Sequence, residues 1–226
     1  ASAWLFNSIA NKHADAMDNF PSPNVLPREE SDRETAKQLS KILPVILEQN
    51  DFEQTYSDTW WYKLKSGTAV YGVFWNPKLE NGLGDIDIKQ IDILNIFWEP
   101  GIKDIQQSKN VFTVELVDNE ILEQNYPELK GKLKSSTIEV TKYIYDDTVD
   151  TSNKTAVVDW YYKVHDAETG RTILHYCKFV NETVLYASEN DPDYKDRGFY
   201  DHGMYPFIFD VLFPEEGTPC GFGYVD

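Results

Sequence analysis

Asp191, Asp193 and Asp196 fall within one polar stretch, and closely spaced oxygen ligands are what Ca²⁺ selects. The stretch lacks the loop glycine and the distal glutamate of an EF-hand, so it reads as a solvated acidic loop. Asp146, Asp147 and Asp150 read the same way, as the charged end of a hairpin. His175 and Cys177 alternate, so on a strand they share a face. Zinc needs more donors at fixed spacing, and His13, His165 and His202 are scattered singly. The pair therefore reads as core packing. Cys177 and Cys220 sit in apolar stretches and read as two reduced, buried thiols.

Phosphate-cradling patterns are missing: there is no G-x-x-x-x-G-K-[ST], and no G-x-G-x-x-G between a strand and a helix. The run Gly217–Gly223 is glycine-rich but has no lysine and no following helix, so it reads as a close turn. No serine occupies a G-x-S-x-G elbow. A glycosidase needs two carboxylates across a cleft, and 38 acidic residues give no basis for choosing a pair. No catalytic, cofactor-binding or metal-binding residue is nominated.

Aromatic residues are abundant, with 6 Trp and 14 Tyr. On a helix Phe52, Tyr56, Trp60 and Leu64 recur every four residues and share one face. Trp61 then points away from that face. An exposed tryptophan needs a cover, and Trp61 is the candidate subunit contact; burial under the following hairpin is the alternative.

These positions must be held by the following elements. Residues 3–18 form a helix with Trp4, Ile9, His13 and Met17 near one face, ended by Phe20-Pro21-Ser22-Pro23. Ser31-Asp32-Arg33-Glu34 is a capping box. The helix it starts runs to about Glu48, burying Ala36, Leu39, Leu43, Ile46 and Leu47, with a kink or break at Pro44. Asp51 caps the next helix and Gly67 closes it.

From Thr68 the period changes to two. Val70–Trp75 is a strand, Asn76–Gly84 a turn, and Asp85–Phe97 the returning strand. The apolar phase slips between Ile88 and Ile91, which a bulge near Lys89-Gln90 would explain. Val111–Val117 is a strand, and Asp118 caps a short helix ending near Pro127. The basic segment 128–136 is a solvated loop and the best candidate for a subdomain junction. Strands Ile138–Tyr145, Ala156–His165, Thr172–Val180 and Thr183–Ala187 make an antiparallel meander. Residues 189–203 form a polar loop, and Pro206–Phe213 is the last strand.

The chain is α+β: N-terminal helices over 1–66, then a mainly antiparallel β part over 67–226, as one domain. Its 226 residues can bury a real core. No apolar run reaches membrane-span length, so no membrane partner is expected. No signal peptide is visible, and the absence of an initiator methionine reads as an excised or processed chain. The net charge of −17 argues against stable wrapping of nucleic acid, which requires Lys and Arg on phosphates. It either keeps the surface soluble or lines a passage in which DNA slides without sticking.

Several short motifs occur in a telling order. DRETAKQL from Asp32 to Leu39 starts a helix after a proline-containing link. KSGTAVYG from Lys65 to Gly72 ends a helix at a glycine and enters a strand. IKQIDILNIFWEP from Ile88 to Pro100, with Leu94-Asn95 inside it, precedes an acidic loop. Tyr205-Pro206-Phe207 and GTPCGFGYVD from Gly217 to Asp226 follow.

In this order the chain resembles the N-terminal half of a tailed-bacteriophage or prophage portal protein. The resemblance implies the wing-like portion of the subunit, without stem, clip or crown. It implies a closed head-to-tail ring of about twelve identical copies. That ring sits at one capsid vertex of the virion and is assembled in the host cytoplasm. Double-stranded DNA passes through it, driven by the large terminase subunit, with capsid and head-completion proteins as further partners. The portal itself catalyses nothing and carries no cofactor. Two other classes stay open: an aromatic-rich carbohydrate- or protein-binding module, and a carboxylate-dependent hydrolase.

Overall fold

The computed structural model describes residues 3–133, 153–167 and 170–225. These form N-terminal helices followed by antiparallel sheets, an α+β arrangement. The chain divides into two compact units. One comprises residues 1–91 with 206–226, the other 92–205; Lys130 lies inside the second.

The first unit begins with α1 (Ala3–Asp18), α2 (Arg33–Gln49) and α3 (Phe52–Ser66). The expected box between Ser31 and Glu34 does not form. Instead Asp32 accepts from the Glu29 N–H at 3.3 Å and Ser31 donates to Asp32, within a short 3-10 turn that leads into α2. Pro44 does not interrupt α2, which runs unbroken to Gln49. Asp51 sits at the start of α3 in a left-handed conformation (φ 47°) with no side-chain cap; its carbonyl accepts from Gln54 and Thr55. Gly67 closes α3 at φ 77°, donating to the Lys63 carbonyl.

Beyond Gly67, β1 (Thr68–Asn76) is the middle strand of a three-stranded antiparallel sheet, between β2 (Asp85–Ile91) and β8 (Phe207–Val211). Thr68 through Val70 are buried, as is Phe207 on β8. The β1–β2 register runs without slip from Asn76↔Asp85 to Val70↔Ile91, so no bulge lies at Lys89-Gln90. The apolar phase changes because the strand stops: Asp92 accepts from the Leu94 N–H at 2.9 Å and turns the chain. The expected strand over 85–97 is thus two strands in two units. The expected strand over 206–213 also divides. After β8, β9 (Phe213–Pro214) pairs with β10 (Gly221–Phe222) in a separate hairpin.

The second unit is a five-stranded antiparallel sheet in the order β3 (Ile96–Trp98), β4 (Asn110–Asp118), β5 (Lys154–His165), β6 (Thr172–Val180), β7 (Thr183–Ala187). The β6–β7 turn places Asn181 at φ 51°, a conformation Asn tolerates better than most residues. A register shift, or bulge, lies here, at Lys178/Phe179. After β4 comes α4 (Asn119–Asn125), which ends before Pro127. Leu122 of α4 and the following Leu129 close one core with Val157 and Val180, so part of the basic segment is anchored rather than solvated. The expected strand 138–145 and the Asp146–Asp150 hairpin end lie outside the described residues. Among the described residues no helix is long and apolar enough to cross a membrane.

Candidate functional site

Trp61 is half-buried, and α1 covers it. Its ring meets Phe6 edge-on at 6.1 Å and His13 at 5.3 Å. His13 is oriented by the Ser57 carbonyl, 2.9 Å from its Nε2. The Phe6 and His13 rings both stand on α1 and neither on the β1–β2 hairpin, the alternative cover. Opposite, the predicted aromatic face of α3 is real: Phe52, Tyr56 and Trp60 stand about one turn apart with centroids 6.0 Å apart, and Phe52 reaches Tyr71 of the sheet.

The helices bury less than their patterns suggest. On α1 only Ile9 is buried, while Trp4 is 86% and Phe6 61% exposed. On α2 only Ala36 is buried; Leu39, Ile42 and Val45 are exposed. A groove lies beside α2, with Phe20, Pro44, Leu47 and Phe52 in its lining. Periodicity located these faces correctly but assigned them to the chain's own core. Exposed apolar area of this kind marks association surfaces.

One linkage escaped sequence reading. Lys63 of α3 is buried, and its Nζ lies 2.6 Å from an Asp210 carboxylate oxygen on β8. The ammonium also stands 4.3 Å from the Trp60 ring centre. The available signal was a lysine three residues after Trp60 and next to Leu64 on a packed helix; its partner 147 residues away had none.

The residues considered for chemistry are structurally engaged. His175 is 5% exposed, with Nδ1 3.1 Å from the Ser188 hydroxyl. Burial lowers its pKa below the ordinary 6.5, opposed by the charge of Glu189. Protonation therefore favours the unfolded chain. The stability His175 contributes is complete above that ordinary value and is lost as pH falls through the folded one. Unfolding by urea is expected to become easier from pH 7.5 to pH 5.5, on the order of the titration range of histidine. A His175→Gln chain should lose part of that slope; an unchanged slope would remove His175 as its source.

Cys177 and Cys220 are unbridged, and burial pushes both thiols up, away from the reactive thiolate. Cys220 is only half-buried, less than its sequence context suggests. Asp191 accepts from the Tyr186 hydroxyl and the Asp193 N–H, both at 3.0 Å, while Asp193 and Asp196 are exposed. Among the described residues no three His, Cys, Asp or Glu side chains converge as for a metal. The glycine-rich ending has a steric reason. A Cβ on Gly223 would lie 2.2 Å from the Lys65 carbonyl oxygen, and one on Gly221 2.2 Å from that of Phe213.

Exposed apolar helix faces beside an antiparallel sheet are the kind of surface through which proteins associate. The family model described as Phage P22-like portal protein matches residues 13–203, and the chain belongs to that family. Membership supports a structural role in a phage portal. A comparison with curated proteins finds no match.

Proposed function

We propose that this chain is the wing-like part of a portal subunit, a structural component of the ring at the capsid vertex through which double-stranded DNA is packaged and ejected. The family match over residues 13–203 carries the reading. The ring is cyclic, of about twelve copies joined head to tail. The large terminase supplies the motor, capsid and head-completion proteins bind the ring, and the portal catalyses nothing itself. The net charge of −17 fits a passage wall to which DNA does not adhere.

Trp61 acts at the subunit contact by seating α1, so that Trp4 and Phe6 are held outward. The test is electron microscopy of the full-length protein with light scattering for mass. Closed rings with a central hole are expected. A stable monomer at high concentration would defeat the reading. In the same protein, Trp61→Ala should lower ring yield by about tenfold, because α1 loses its seat and with it the placement of Trp4 and Phe6 at the contact. An unchanged yield would remove Trp61 from the contact.

A further inference from the structure

The groove of the first unit joins apolar and acidic features. Its lining joins Phe20, Pro44, Leu47 and Phe52 with Glu48, Asp51 and Glu53. None of these acids forms an ion pair with a described residue. A lining that mixes apolar side chains with carboxylates fits a lysine: the aliphatic stem lies against the apolar groups and the ammonium reaches a carboxylate.

The second unit carries such lysines in a fixed turn. Leu129 and Leu133 are packed in its core on either side. Between them the Lys132 N–H donates to the Leu129 carbonyl at 2.9 Å, and the Gly131 N–H to Glu123 Oε1 at 3.1 Å. Lys130 and Lys132 are exposed and form no ion pair with a described residue. They belong to the basic segment 128–136, which has three lysines and one glutamate, in a chain with net charge −17.

We propose that the acidic groove of one copy receives the Lys130–Lys132 turn of a neighbouring copy. The proposal rests on the ring reading above and names the contact within it. A head-to-tail ring needs two unlike, complementary patches on every copy, and this chain carries such a pair. Strongly acidic copies repel one another, so a contact must place positive charge where it offsets that repulsion. The groove and the turn do so.

The test uses the full-length protein. One variant carries Glu48→Lys and Glu53→Lys; Asp51 is kept because its φ of 47° suits Asp better than Lys. The other carries Lys130→Glu and Lys132→Glu. Each alone should lower the ring fraction in sedimentation by about tenfold at low salt, through like-charge juxtaposition. Mixed in equal amounts they should recover rings, because alternating copies present opposite charges at every contact.

Rings undiminished in either variant, or not recovered on mixing, would overturn the proposal. So would recovery only when all four changes share one chain, which would place the turn in its own chain's groove. Failure of the unaltered protein to form rings would defeat the ring reading itself, and the contact with it. Carbodiimide coupling of unaltered rings, mixed from ¹⁴N and ¹⁵N chains, needs no substitution. Lys130 or Lys132 should couple to Glu48 or Glu53 between differently labelled copies, and absence of that coupling in intact rings would reject the contact.

Discussion

Asp210→Ala is expected to destabilise the protein by about 2–4 kcal/mol, and more than Lys63→Met. The asymmetry follows from burial. The side chain of Lys63 is 10% exposed and that of Asp210 33%. Removing the carboxylate strands an ammonium that water reaches poorly, with the Trp60 ring at 4.3 Å in partial compensation. Removing the ammonium leaves a carboxylate that water can still solvate. Asp210→Leu combined with Lys63→Met should recover much of the loss, since apolar replacement of a buried pair is often neutral. Urea titration of the four chains measures all of this. Equal losses in the two single variants would show that water reaches Lys63 as readily as Asp210. The pair joins α3 to β8, so its loss should also expose the C-terminal strands to protease.

Gly67→Ala is expected to cost about 2–5 kcal/mol, combining left-handed strain with overpacking. At φ 77° its Cβ would lie 2.1 Å from the Phe222 backbone carbon and 2.3 Å from the Gly221 oxygen. Both are main-chain atoms and cannot swing aside. The β9–β10 hairpin would have to lift, breaking the bonds from the Gly221 N–H to the Thr68 hydroxyl and from the Tyr224 N–H to the Leu64 carbonyl, each 2.9 Å. Gly217→Ala is the control. Its φ of 83° is equally unfavourable but its Cβ would meet nothing within 4 Å, so only about 1 kcal/mol is expected. Urea midpoints that move equally for the two variants would rule out the close approach as the cause.

Local pattern made much of this legible. Helical spacing located α1, α2 and α3, and alternation located β1, β4, β5, β6 and β7, because side-chain periodicity follows directly from backbone geometry. Gly67 was readable as a helix end for the same local reason. The Ile88–Pro100 stretch and its companions, taken in order, led to the portal family, which the match over residues 13–203 bears out.

The candidate site was less legible. Periodicity shows that Leu39 and Ile42 share an apolar face, but not whether the chain's own core covers it; both are exposed. Trp61 stood out in sequence as needing a cover, yet only packing reveals that Phe6 and His13 supply it. The sequence by itself determined the family and most of the elements, though not where the strands over 85–97 and 206–213 divide, because local spacing carries the first and not the second. Tertiary structure alone decided that β8 returns to pair with β1, Val211 opposite Thr68, and that Asp210 thereby meets Lys63. Partners so distant along the chain leave no local signal, since their energy arises only when folding brings them together and excludes water.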